Sequence, residues 1–100
     1  MYYMFIFILQ SLSPAQKIIQ SCHAAIEATQ KKSVSEHPNI VLIEVESQSK
    51  LNYFQSICEI NNIDFHLFYE PDNNLGATSL ATIPIEKKYK KIFKDLKLMN

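Results

Sequence analysis

The chain opens with an uninterrupted run of apolar side chains, Tyr2–Leu9, rich in aromatic and branched residues. Such a run is typical of a β-strand buried on both faces, because a strand with one face in water alternates polar and apolar side chains. It is too short to cross a bilayer as a helix, and no Lys or Arg precedes it as in a secretion signal. The run therefore predicts a strand that is buried on both faces.

Ser13 and Pro14 mark the start of the first helix, since Ser is favoured at the N-cap and Pro at the first helical position. Gln16 lies three residues after Ser13 and completes a capping-box pattern. We expect this helix to end at about Lys32. At about 100° per residue, its side chains divide into an apolar face, expected in the core, and a polar face, expected in solvent. The apolar face comprises Ile18, Cys22, Ala25, Ile26 and Thr29; the polar face comprises Gln16, Gln20, His23 and Glu27.

Strands and helices are predicted to alternate along the rest of the chain. They are strand Ile40–Val45, helix Ser47–Asn62, strand Ile63–Tyr69, strand Ala77–Ile83 and helix Glu86–Met99. The order β-α-β-α-β-β-α predicts parallel pairing through right-handed crossovers, except for the fourth strand, whose link is too short for a crossover helix. We therefore expect one α/β domain over residues 1–100, with three α/β/α layers around a mixed four-stranded sheet.

Charge and cysteine content narrow the classes of function. The formal net charge is zero, all ten basic residues are Lys, and six of them lie in the last 14 positions. That segment is either a solvated face or a surface for phosphates. Two cysteines without a CxxC pair indicate reduced, buried thiols in a cytoplasmic protein with no membrane partner. His37 and His66 lack ligand partners at metal spacing, so we expect no metal site.

Two segments carry a resemblance to a known family. Gln20–Ala28, QSCHAAIEA, resembles the Q-x-x-H-A-A signature of type II peptidyl-tRNA hydrolases, where it also follows a first strand and opens a helix. Asp95–Met99, DLKLM, resembles the L-K-L-x segment that closes the family's chains. The order of elements is also similar, so the resemblance covers nearly the whole chain. It implies cleavage of the ester between a peptide and tRNA, with tRNA as the partner and no cofactor.

The resemblance also implies a set of site residues. By position, Gln20 and His23 match the family's catalytic pair, and either Glu70, which we favour, or Asp72 supplies the loop carboxylate. The candidate substrate-binding residues are Gln16 and, for the tRNA phosphates, Lys17, Lys31, Lys94 and Lys97.

The chain departs from the family at two places. Where the family has Gly-Lys at the start of the helix, this chain has Ala15 and Gln16, with Lys17 one residue later and about 100° further around the helix. The loop 69–74 is shorter than the family's D-A-G-R-T-type segment and has no Arg for bidentate phosphate contacts.

Three functions remain open on the sequence alone. The first is hydrolysis of peptidyl-tRNA, in which Gln20 donates to the ester carbonyl and His23 or the acidic loop activates water. The second is an inactive module of the same fold that binds tRNA or another RNA. The third is a structural or interaction domain that forms a homodimer. Simpler interpretations also stand: His23 and Gln20 as exposed helix residues, Gln16 as a cap, and Glu70 and Asp72 as turn formers.

Overall fold

A computed structural model describes residues 1–71 and 75–93 of the chain. Its elements are β1 (Tyr2–Leu9), α1 (Pro14–Lys31), β2 (Asn39–Val45), α2 (Gln48–Ile60), β3 (Phe65–Glu70), β4 (Gly76–Thr82), β5 (Ile85–Glu86) and a 3₁₀ helix (Lys87–Phe93). The predicted α/β class is confirmed. The predicted bounds of the first strand agree with β1, and the ends of the other predicted helices and strands before residue 84 differ by at most two residues.

The sheet has five strands rather than the four predicted. β2, β1, β4 and β3 lie side by side in that order; β1 is parallel to β2, and β4 is antiparallel to both β1 and β3. The fifth strand arises beyond Pro84, where Ile85 and Glu86 pair with Tyr3 and Tyr2 of β1. Proline interrupts a strand because it has no N–H to donate, and the chain here resumes pairing after the interruption.

The central strand β1 is buried on both faces, as its apolar run predicts. Phe5 and Phe7 lie in a core with α2, where the rings of Phe7 and Phe54 stack with centroids 4.3 Å apart. Met4 and Ile6 lie in a second core with the alanines of α1. The helices α1 and α2 therefore cover opposite faces of the sheet, which gives the three expected layers.

The predicted orientation of α1 is wrong by roughly a third of a turn. The residues that α1 buries are Gln20, Ser21, Ala24 and Ala28. Ile18 and Ile26, predicted to lie in the core, are 67% and 55% exposed, whereas Gln20 is 0% exposed. The physical reason is close approach: α1 lies over β1, β4 and β3, and a helix this near a sheet needs small side chains at the contact.

The same rotation changes the expectation for the cysteines. Cys22 lies on the outer side of α1 and is exposed, whereas Cys58 of α2 is buried. The prediction of two buried thiols therefore holds for Cys58 and is wrong for Cys22.

The predicted helix Glu86–Met99 is wrong in its first half. Glu86 belongs to β5, and Lys87–Phe93 forms the 3₁₀ helix. The backbone N–H of Lys87 donates to the carbonyl of Met1 at 3.1 Å, which ties the start of this segment to β1. Phe93 fills the core against Phe5, with ring centroids 4.6 Å apart. The remainder of the predicted helix, and with it the DLKLM segment, lies outside the described residues. Within the described residues, no helix is long and apolar enough to cross a membrane.

Candidate active site between helix α1 and strand β3

The start of α1 is held by the predicted N-cap. The side chain of Ser13 accepts a hydrogen bond from the backbone N–H of Gln16 at 3.2 Å, and the carbonyl of Ser13 accepts from the N–H of Lys17 at 2.9 Å. The side chain of Gln16 does not complete the capping box through its oxygen. That oxygen accepts instead from Gln20 one turn along the helix, so Gln16 does more than cap the helix.

Gln20 is the centre of a buried hydrogen-bond network. Its Nε2 donates to Oε1 of Gln16 at 2.9 Å and to Oε2 of Glu70 at 2.7 Å. Its Oε1 accepts from the hydroxyl of Thr78 at 3.2 Å, and its backbone carbonyl accepts from Ser79 at 2.8 Å. A fully buried amide is costly unless its donors and acceptor are satisfied. All of the side chain's polar atoms are engaged here, which fixes Gln20 against β3 and β4.

Glu70 is the last residue of β3 and is half-buried. It pairs with Gly76, the only glycine of the chain, whose positive φ of 68° follows the loop between β3 and β4. The position brings a carboxylate next to the first turns of α1. A hydrogen-bonded carboxylate that remains in contact with solvent can accept a proton from water.

His23 lies one turn beyond Gln20 and packs flat against Phe68 of β3. The ring centroids are 4.8 Å apart and the rings are nearly parallel, at 6°. His66 lies nearby at 6.4 Å from the Phe68 ring, tilted by 48°. The pairs Gln20–Glu70 and His23–Phe68 show that α1 and β3 run in opposite directions with matched side chains. Together they mark the line along which the helix packs on the edge strand, here called the α1–β3 site.

The two described lysines of the predicted substrate-binding set lie apart from this cluster. Lys17 points toward β2, where its ammonium forms an ion pair with Glu44. Lys31 lies at the far end of α1, where its Nζ donates to the carbonyl of Phe65 at 2.5 Å and lies 3.6 Å from Asp64. The structure therefore brings Gln16, Gln20, His23 and Glu70 together and leaves Lys17 and Lys31 outside. Asp72, Lys94 and Lys97 lie outside the described residues.

Thr78, Ser79 and Phe68 contact Gln20 or His23 in the α1–β3 site, and the sequence analysis did not predict their part in it. A signal for the hydroxyls was present: Thr78, Ser79 and Thr82 interrupt an otherwise apolar strand and are fully buried. Buried hydroxyls need partners, and two of them find one in Gln20. In the part of the chain that the structure describes, no group of three or more His, Cys, Asp or Glu could hold a metal ion.

Comparison with known proteins adds no family to these observations. No protein-family model matches the chain, and no curated protein matches it.

Proposed function

We propose that this protein hydrolyses the ester bond of peptidyl-tRNA and releases free tRNA and peptide. One observation carries the proposal. Gln20, from the segment that resembles the family signature, donates at 2.7 Å to Glu70, the carboxylate that the sequence favours over Asp72 for the same site. These residues are 50 positions apart in the chain, so their contact results from the tertiary fold and not from their proximity in the sequence.

The contacts assign a different part of the reaction to each side chain. Both N–H bonds of the Gln20 amide are engaged, by Gln16 and Glu70, so Gln20 positions its neighbours rather than binding the substrate. The oxygen of Gln16 is engaged as well, which leaves its amide nitrogen as the donor to the ester carbonyl. Glu70 is the proton acceptor, because its carboxylate is oriented by Gln20 and, being half-buried, remains in contact with solvent.

The reaction then proceeds without a cofactor. Glu70 removes a proton from a water molecule whose oxygen attacks the carbonyl carbon of the ester. The negative charge that develops on the carbonyl oxygen is stabilised by the Gln16 amide. The bond from the carbonyl carbon to the ribose oxygen breaks, and that oxygen takes up the proton from Glu70.

The decisive variant is Glu70→Gln, which keeps an oxygen to accept from Gln20 but cannot take up a proton. We expect release of free tRNA from an N-acetyl-aminoacyl-tRNA to fall by roughly 10²-fold or more. The matched control is Glu59→Gln, an exposed glutamate on α2 on the other face of the sheet, which should retain full turnover. Unchanged turnover in Glu70→Gln, or none in the wild-type protein, would overturn the proposal.

An inactive tRNA-binding module is the second candidate, and the position of Lys17 favours it. The chain lacks a lysine at the family's position, and Lys17 is already paired with Glu44 on the β2 side of the helix. This candidate predicts tRNA binding that weakens steeply with salt, without release of product. A filter-binding titration at two salt concentrations, run beside the release assay, separates the two. The homodimer remains a prediction, which sedimentation equilibrium of the purified protein tests.

A further inference from the structure

The stacked pair His23–Phe68 is the least expected feature of the α1–β3 site. Phe68 is half-buried and packs against the core beneath α1, so its ring is held in place from below. His23 is exposed and lies parallel to that ring at 4.8 Å. One face of the imidazole is therefore covered by Phe68, while the His23 side chain as a whole remains exposed.

The surroundings of His23 do not suit a general base. A catalytic imidazole is normally oriented by a hydrogen bond to its second ring nitrogen. Within residues 1–71 and 75–93, the His23 ring stacks on Phe68 and forms no hydrogen bond. Glu70, by contrast, is oriented by Gln20. The α1–β3 site thus contains a carboxylate that Gln20 orients for proton transfer and an imidazole that is held by stacking on Phe68.

A flat, supported and exposed ring is the arrangement that binds nucleobases. Unpaired bases stack on Phe, Tyr, Trp and His side chains, and such stacking tolerates different bases because each has a π-face. Gln20, which donates to Glu70, and His23 are three residues apart on α1, a rise of about 4.5 Å along the helix. This spacing suits a base stacked on His23 and the ester on its own ribose at the carboxylate.

We propose that His23 and Phe68 form a stacking platform for the 3′-terminal nucleobase of the tRNA, and that His23 is a substrate-positioning residue. The inference rests on the proposed function for the identity of the RNA. It reassigns His23 from proton transfer to binding, and it makes the orientation of the ester at Glu70 depend on the base that carries it.

Substitution by Phe or by Ala separates stacking from proton transfer. His23→Phe keeps an aromatic ring and cannot accept a proton, whereas His23→Ala removes both properties. We expect His23→Ala to raise KM roughly tenfold with a much smaller change in kcat, and His23→Phe to restore KM. His37→Ala, in an exposed loop, is the control. A large loss of kcat in both His23→Phe and His23→Ala would overturn the proposal, since that result would show that the reaction needs proton transfer by His23.

A binding measurement tests the platform even if the protein is not a hydrolase. The probe is a short RNA with the acceptor-end sequence and 2-aminopurine as its 3′-terminal base, whose fluorescence falls on stacking. We expect quenching by the wild-type protein and by His23→Phe, and loss of quenching with His23→Ala. Quenching without turnover would keep the platform and reject the hydrolase. Turnover without quenching would keep the hydrolase and reject the platform, and would point to a peptide side chain at the stack.

Discussion

The side-chain amide of Gln20 donates to the carboxylate of Glu70 at 2.7 Å and so joins the first helix to the end of the third strand. The contact lies beneath the surface, since Gln20 is 0% exposed. Gln20, which the sequence predicted to face solvent, is therefore the residue that holds the end of β3 against α1.

Replacement of Gln20 by Leu should destabilise the fold. The buried Thr78 hydroxyl loses its acceptor, and a buried hydroxyl left without a partner costs about 1–3 kcal/mol. Urea unfolding measures the change. Gln30→Leu, at an exposed position of the same helix, is the control and should shift the free energy of unfolding by a few tenths of a kcal/mol at most. Equal midpoints for the two variants would contradict the buried network.

Substitutions along α1 test its rotation directly. Ala24 is 0% exposed against the sheet, so Ala24→Leu should overpack the core and cost about 1–3 kcal/mol. Ile18→Ala should cost much less, because Ile18 is 67% exposed. Thermal or urea unfolding distinguishes this from the orientation predicted by the sequence, for which the isoleucine change would be the costly one. Ala15→Leu, at an exposed position, controls for added bulk.

The two thiols should differ in reactivity. Burial, and to a lesser degree the neighbouring Glu59, raises the pKa of the Cys58 thiol from 9.0 to about 12. Because the thiolate is the reactive form, iodoacetamide at pH 8 should modify the exposed Cys22 and leave Cys58 unmodified in the folded protein. Intact mass should increase by one adduct, and Cys22→Ser should abolish it. Two adducts without denaturant would contradict the burial of Cys58.

The same raised pKa predicts a loss of stability at alkaline pH. An unfolded thiol ionises near pH 9, whereas the folded Cys58 holds its proton until about pH 12. The unfolded chain therefore binds fewer protons in this interval, and the free energy of unfolding falls as the pH rises through it. Cys58→Ala should flatten this part of the curve relative to the wild-type protein, after subtraction of its lower stability at pH 8. A parallel decline in both proteins would exclude Cys58 as the source.

The ion pair between Lys17 and Glu44 should limit phosphate binding. Their side chains are only 19% and 26% exposed, so the pair holds the ammonium on the β2 side of α1. Glu44→Gln removes the charge that holds Lys17, and we expect tRNA to bind more tightly. The slope of log K against log[salt] should become steeper by the amount that corresponds to about one additional phosphate contact. Glu46→Gln makes the same charge change at an exposed position two residues away. An equal effect of both variants would show that Lys17 takes no part.

Local patterns in the sequence were sufficient for several elements. The apolar run predicted a strand buried on both faces, and Tyr2–Leu9 is that strand. Ser13 and Pro14 predicted the start of α1, where the Ser13 side chain caps the helix. These signals depend on neighbours in the chain, such as the hydrogen bond from Gln16 to Ser13 and the absence of polar side chains, so they are readable without the fold.

What the sequence by itself determined was the α/β class, the order of the elements before Pro84 and the start of α1. The tertiary structure alone decided which side of α1 meets the sheet, because that choice depends on how closely the helix approaches β4 and on whether Thr78 and Ser79 satisfy Gln20. It also decided the segment after Pro84, where pairing with β1 and burial of Phe93 override a helical pattern. Periodicity ranks side chains by polarity, whereas burial in this protein follows size and available hydrogen-bond partners, which only the packed elements define.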